Sequence, residues 1–469
     1  MVGRQASDPR KTPFEESHPI VCNRSAISRL VRCRPRLVLV VALAAGAAMA
    51  LLAGSTVARP KATAHVTKHR KACKLSARAR RADARARRAI SRRQRHIARL
   101  RRAGGRAARG AIRRDQRAIA RLRRQLACQA RVGAGPGLRI GLNAETHGSG
   151  LPTGLRPGVA VPPGVRYLRE QFDWSVIEPA PGRYDWRLYD QLELTAAQRG
   201  FIVLPELMHA PSWAEETWDT VPADPAAFAD FVAHVVARYG PGGQFWAVHP
   251  ELASRAPDYF ELWNEPYYPM YANGQVDPGR YARLVKAAGQ AGRAANPRAK
   301  FIAAAETDIL PAGSSTWVRW ADGMYAAVPD LNDYFDAVAV HPYSKNRPPD
   351  APINGYIHDK FQRIASIHQA FADHGGGDKP LWITEIGWST CADPGQDCVS
   401  EDTQAAYISK LLAMVRGVYR DFVGGVFLYR TIDLGPPNSS DAEMNYGVAR
   451  QDGAPKPAWF ALRAAAALR

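Results

Sequence analysis

Only six of the 469 residues are cysteine, and no C-x-x-C or Cys/His spacing occurs. That excludes a disulfide-built miniprotein and a structural zinc site. Acidic side chains are nearly missing from the first 130 residues, which hold 34 Lys+Arg against 5 Asp+Glu. Residues 61–130 contain no aromatic residue, so their arginines cannot form a base-stacking surface, and this argues against nucleic acid as a partner. No glycine-rich turn follows the first apolar run, where the chain reads GLNAETH from 141, and an open dinucleotide-binding sheet loses support.

The basic excess is local. Residues 131–469 carry 30 Lys+Arg against 38 Asp+Glu, so the formal charge of +21 describes an arm attached to a mildly acidic globular part. Residues 37–58 hold no charge, long enough for a helix to span a bilayer, and five arginines stand between 24 and 36. The positive-inside rule then keeps residues 1–36 in the cytoplasm and exports the remainder. The expectation is a single-pass cell-membrane protein with an extracytoplasmic globular part. The alternative is a signal peptide cleaved after the T-V-A at 56–58, giving a secreted protein. Cys391 and Cys398, seven residues apart in a polar loop, suit a disulfide in such a compartment.

Residues 59–135 form a basic helical stalk containing a repeat. The segment at 89–102 (AISRRQRHIARLRR) returns at 111–124 (AIRRDQRAIARLRR). Ile90, Ile97 and Leu100 correspond to Ile112, Ile119 and Leu122, one helical stripe in each copy. Either a helical hairpin or helices that oligomerise would follow, with Cys73 and Cys128 as possible staples. The 25 Lys+Arg of residues 61–130 suit a spacer with affinity for an anionic wall polymer or lipid headgroups.

Residues 136–469 alternate short apolar runs with amphipathic stretches. Eight strands are expected, at 138–142, 165–169, 201–207, 259–263, 301–305, 337–341, 381–385 and 425–429. Helical patterns cover 225–239, 281–295, 356–373 and 403–418. Eight such units in about 330 residues predict a (β/α)₈ TIM barrel, whose chemistry sits where the strands end. Polar residues collect there: Glu145 and His147, Arg169 and Asp173, Glu206 and His209, Asn264 and Glu265, His341 and Tyr343, Glu385, and Asp433. Cleaving a glycosidic bond needs two carboxyl groups at a fixed separation, one protonated and one ionised. Glu265 and Glu385, at the ends of strands four and seven, meet that requirement.

The E-L-W-N-E-P at 261–266 and the W-I-T-E-I-G-W at 382–388 resemble the strand-four and strand-seven motifs of clan A glycoside hydrolases. The H-P-Y at 341–343 and Arg169 resemble that clan's strand-six His and Tyr and its strand-two Arg, and the segment at 172–189 resembles the corresponding loop of families 5 and 39. The resemblance implies a retaining hydrolase needing no metal or organic cofactor, with Glu265 as acid/base and Glu385 as nucleophile. It further implies Asn264 at the sugar 2-hydroxyl, Tyr343 and Arg169 holding Glu385, and His341 beside the acid or the substrate. Trp213, Trp388 and Tyr429 are candidate sugar platforms, Trp263 is expected in the core, and Glu145, His147, Glu206, His209 and Asp308 are candidate subsite groups. The clan often places a tryptophan at the end of strand eight, whereas this chain offers Tyr429. The expected substrate is a β-linked glucan, mannan or xylan, or an exopolysaccharide. A sugar acceptor in place of water would make the enzyme a transglycosylase. A chain that binds sugar without turnover would be a carbohydrate-binding barrel.

Overall fold

The computed structural model describes residues 138–144, 155, 159–311, 315–352, 360–393 and 397–467. It also describes parts of the stalk between 89 and 119. The apolar segment 37–58, Cys73, Cys128, Glu145 and His147 lie outside the described residues. Among the described residues no helix is long and apolar enough to cross a membrane.

Eight parallel strands close into a barrel. They are β1 (Arg139–Asn143), β2 (Tyr167–Asp173), β3 (Ile202–Met208), β4 (Tyr259–Leu262), β5 (Lys300–Ala304), β6 (Ala337–Val340), β7 (Leu381–Ile386) and β8 (Val423–Leu428). Every strand expected from the sequence is present, with ends displaced by a few residues. β2 runs to Asp173 because its pairing with β3 continues from Tyr167↔Ile202 to Asp173↔Met208.

Among the described residues seven helices of eight or more residues alternate with the strands: α1 (Arg187–Gln198), α2 (Pro225–Tyr239), α3 (Pro278–Ala295), α4 (Trp320–Ala327), α5 (Lys360–Asp373), α6 (Glu401–Arg416) and α7 (Pro457–Ala466). α2 and α3 start at Asp-Pro pairs. Asp224 accepts from the Ala226 N–H, and Asp277 accepts from the Gly279 and Arg280 N–H groups. Such caps satisfy donors that the first helical turn leaves unpaired, and proline at N1 loses nothing there. α3 therefore begins at Pro278 rather than at the expected Tyr281. An antiparallel hairpin of Asp308–Ile309 and Val318–Arg319 grows from the end of β5.

Alternation along each strand sorts the barrel interior into layers. Lower down, Leu204, Ile302, Ala337, Ala339, Trp382 and Phe427 form an inner core of their own, with Tyr167 and Tyr259 against it. The larger apolar cluster lies between barrel and helices. Space around Phe427 is so short that a Cβ on Gly141 would collide with its ring. Above the apolar layer the inward positions become polar: Asn143, Arg169, Glu206, Glu261, His341 and Thr384 are all buried.

In the stalk, the two copies of the repeat meet within one chain. Asp115 accepts from Arg93 at 2.6 Å and faces the His96 Nδ1 at 2.6 Å, and the matching Ile97 and Ile119 are both buried. Cys391 and Cys398 form a disulfide with a Cα separation of 5.5 Å.

Gly141→Ala should destabilise the fold by about 1–3 kcal/mol, the usual cost of overfilling a packed core. Urea denaturation would show it as a lower midpoint at unchanged slope. An unchanged midpoint would mean that Phe427 yields freely.

Candidate active site

The site is organised around Arg169, a buried arginine on β2. Its Nε donates to Glu261 Oε2 at 2.7 Å, and its Nη1 donates to Asn143 Oδ1 at 2.9 Å and Glu385 Oε1 at 2.6 Å. Its Nη2 donates to Glu206 Oε1 at 2.5 Å and Asn264 Oδ1 at 3.2 Å. One planar guanidinium thus ties together residues from five strands or strand ends, a geometry that lysine could not reproduce.

The three carboxyl groups on this cation are not equivalent. Glu206 and Glu261 are register partners on neighbouring strands and share the same layer. Burial works to raise Glu261, but Arg169 and then His341 outweigh it and hold it down to about 2. Glu206 is pushed well above the usual carboxylate range by burial, and the charges of Glu261 and Glu385 add to this against the pull of Arg169. The same guanidinium thus holds Glu261 low while burial and the neighbouring carboxylates drive Glu206 the other way, toward its neutral form.

His341, just past β6, stands between the two glutamates singled out from the sequence. Its Nδ1 lies 2.8 Å from Glu265 Oε1 and 3.6 Å from Glu385 Oε2. Both glutamates thus reach the same imidazole nitrogen. On the other side, Nε2 is 3.0 Å from Thr384 Oγ1, whose hydroxyl donates to Glu261 Oε1 at 2.9 Å. Thr384 thus accepts the Nε2–H. Burial works to lower the imidazole, but the charge of Glu385 and the bonds to Glu261 and Glu265 push it up to about 10. It is a cation at neutral pH and donates from both nitrogens.

Glu265 and Glu385 keep some exposure, at 20% and 12% of their side chains, while the groups beneath them are sealed. Glu385 Oε2 accepts from the Tyr343 hydroxyl at 2.9 Å. Glu265 leaves β4 through a contorted turn in which Trp263 has φ 70° and Glu265 φ 39°. Left-handed backbone at non-glycine residues costs energy and persists where surroundings impose it, often at functional sites.

The structure gathers Glu265, Glu385, Asn264, Arg169, His341 and Tyr343 into one cluster. Tyr429 stands at its edge, with its ring 6.1 Å from Tyr343 and 5.5 Å from Tyr446. Its hydroxyl meets Glu443 and Arg430. The other expected sugar groups are held by partners of their own. Trp388 is 1% exposed, packs on Tyr407 and donates its indole N–H to Arg347 O, so it has no free face. Trp263 is core, as expected, against Phe228. Trp213 donates to Glu178 O at 3.0 Å and packs edge-on to Trp174. His209 faces Asp173 at 3.2 Å and Trp218 at a ring distance of 4.3 Å. Asp308 is exposed on the hairpin after β5, and Asp433 is buried in an ion pair with Lys456 at 2.7 Å.

Glu261, Thr384, Asn143 and Tyr446 were not assigned roles from the sequence. For Glu261 a signal existed: it faces inward on β4 and precedes Glu265 by four residues. Tyr446 sits in the long loop after β8, where no pattern marks it. Among the described residues no group of three or more His, Cys, Asp or Glu could hold a metal ion.

No family model matches the chain, and no curated protein matches it. Solved structures do. A family 39 glycoside hydrolase from the gut symbiont Bacteroides cellulosilyticus WH2 superposes with a TM-score of 0.50 at 22% identity, over 71% of this chain and 64% of that one. The chain therefore spans less than two thirds of that protein's length. A monomeric beta-xylosidase from Caulobacter crescentus CB15 gives 0.51 at 18% identity, over 72% and 70%. A GH5_18 protein from Streptomyces cattleya, solved with GlcNAc, gives 0.50 at 18% identity, over 71% and 80%. At these identities the likeness is one of fold, the (β/α)₈ barrel found in glycoside hydrolases.

A histidine titrates near 6.5 when unfolded, and His341 is raised to about 10 in the fold. Its stabilisation is complete below pH ~6.5 and is lost as pH climbs toward about 10. Urea midpoints should fall across that window, and His341→Gln should flatten the fall. Parallel profiles for the two proteins would refute the assigned charge.

Proposed function

We propose that this protein is a retaining glycoside hydrolase acting on a β-linked polysaccharide. The observation that carries the proposal is the pair Glu265 and Glu385, facing one histidine from the ends of β4 and β7, with Arg169 and Tyr343 on the two oxygens of Glu385. The barrel it shares with glycoside hydrolases supports the same reading.

In the first step Glu265 gives its proton to the glycosidic oxygen while Glu385 attacks the anomeric carbon. The bond to the leaving sugar breaks, and its electron pair goes to the protonated oxygen. In the second step Glu265 takes a proton from water, the water oxygen bonds to the anomeric carbon, and Glu385 leaves as a carboxylate. Glu265 Oε1 accepts from His341, so Oε2 is the oxygen that carries the proton to the substrate. Arg169 and Tyr343 hold the two oxygens of Glu385 and fix its approach. Asn264, its carbonyl oxygen on Arg169, has its amide N–H₂ to offer the sugar 2-hydroxyl. Tyr429 takes the place at the end of β8 from which a ring would cover the sugar.

The reading places the barrel outside the cytoplasm, tethered by residues 37–58, with the basic stalk as a spacer that attracts anionic polymer or lipid headgroups. The Cys391–Cys398 disulfide supports an oxidising compartment.

The full chain should cleave at least one member of a panel of xylan, mannan, β-glucan and bacterial exopolysaccharide. Glu265→Gln and Glu385→Gln should each lower the rate by at least about a hundredfold, the low end for a lost acid–base group. NMR of the first-formed product should show the anomer of the substrate. An inverted anomer would exclude the covalent intermediate, and sugar binding without turnover would leave only a carbohydrate-binding barrel.

A further inference from the structure

Large exposed apolar side chains are distributed unevenly over the catalytic end of the barrel. Trp218 is 55% exposed on the loop after β3, Tyr268 is 47% exposed on the loop after β4, and Trp317 is 61% exposed beside the hairpin after β5. Met270 and Leu310, on the last two of these loops, are exposed as well. Among the described residues, the loops after β6, β7 and β8 carry no large exposed apolar side chain. Val176 is exposed on the segment after β2 as well, so the set falls on the consecutive loops after β2 to β5, and while scattered apolar residues on a surface need no explanation, a set gathered on one side of the barrel mouth does.

Chemistry gives that side a meaning. The acid must reach the glycosidic oxygen, which departs with the leaving group. The surface next to Glu265 and away from Glu385 therefore faces the part of the substrate that is released. Tyr268 is fixed to that position, because its N–H donates to the Glu265 carbonyl at 2.9 Å. Tyr267 before it is buried and packs edge-on to Trp320, so the turn holding Tyr268 is anchored. Trp317 leads into the strand Val318–Arg319, and the loop that carries it belongs to β5, the strand paired with β4.

We propose that Tyr268 and Trp317 form a platform for the leaving side of the substrate, one sugar face on each ring. The substrate is then a polymer or long oligosaccharide with at least two sugar units beyond the cleaved bond, rather than a glycoside of one small alcohol. The inference rests on the glycosidase reading and adds the length and placement of the chain that the site takes.

The test uses the full chain and oligosaccharides of two to six units from xylan, cellulose and mannan. Beside them stand the disaccharide β-glycosyl fluorides of the same sugars, which react at the same glutamates but release fluoride instead of sugar. For wild type, kcat/KM should rise as units are added on the reducing-end side. Tyr268→Ala and Trp317→Ala should each lower kcat/KM for the longest substrate about three- to tenfold more than for the fluoride, the worth of one ring contact. Tyr268→Phe and Trp317→Phe, which keep a ring, should recover most of that loss. Equal losses on fluoride and oligosaccharide, or rates independent of length, overturn the platform while leaving the glycosidase standing. Absence of turnover on every substrate in wild type overturns the glycosidase reading, and the platform with it.

Discussion

A single buried guanidinium has to satisfy three carboxyl groups. Arg169 touches Glu206, Glu261 and Glu385 at 2.5–2.7 Å, and one positive charge cannot balance three negative ones away from water. A second cation, His341, stands beside them, and burial with the neighbouring carboxylates drives Glu206 toward its neutral form. With Glu385 ionised and Glu265 protonated, as a retaining mechanism starts, the two cations face two carboxylates. The cluster is then neutral in the state that receives substrate. In the covalent intermediate of the proposed mechanism Glu385 would be neutral as an ester and Glu265 would have given up its proton, so the balance would again be two against two. The negative charge has moved from one glutamate to the other, and His341 lies within 3.6 Å of both. A cation shared by the two carboxylates is suited to a reaction that shifts charge between them at constant total.

Rigidity beneath the site follows from the same residues. The carbonyl of Asn143 accepts from the Thr431 N–H and hydroxyl, and its side chain donates to Thr384 O and accepts from Arg169. Strands one, two and seven and the start of the loop after strand eight are thereby joined across the barrel. Below this layer, Phe427, Trp382 and Tyr259 fill the interior and leave the polar groups no route downward. Stiff support matters because Trp263 and Glu265 hold left-handed backbone angles without being glycine. Tyr281 helps fix the strand that leads there, donating its hydroxyl to Leu262 O at 2.6 Å and accepting from Ala304 N at 2.7 Å.

The strands were legible because each is a short apolar run ending in polar residues, the pattern that a closed parallel sheet buried on both faces imposes. Helices were legible where a side chain announced them. α2, α3 and α6 carry N-cap bonds from Asp224, Asp277 and Ser400, and the sequence shows their patterns. α1, α4 and α7, preceded by Trp186, Arg319 and Lys456, have no side-chain cap, and no helical stretch was delimited there from the sequence. Of the site, the groups at the strand ends could be read directly, because barrel topology brings strand ends together whatever the intervening loops do. Which of Glu206 and Glu261 is held low could not be read, since that depends on two strands placing them on neighbouring donors, Nη2 and Nε, of one guanidinium. Trp388 misled for a related reason. It follows Glu385 by three residues, yet the loop folds its ring inward against Tyr407, and proximity in sequence did not become proximity to substrate.

The two sides of the cleft are built on different physics. Around Glu385 the surfaces are polar and interlocked: Tyr343, Tyr429 and Tyr446 meet edge to face, and Glu443 takes the Arg430 charge at 2.9 Å. Such a wall discriminates, because a sugar that misplaces a hydroxyl leaves a buried polar group unpaired, at a cost of about 1–3 kcal/mol. Beside Glu265 the rim is exposed and apolar, and apolar contact is tolerant of orientation. On the proposed reaction, a site divided in this way would read the sugar that forms the covalent intermediate and accept a range of chains as its leaving group. That division suits an enzyme acting on a polymer, where the residue at the point of attack has to be recognised and the chain beyond it has only to be held.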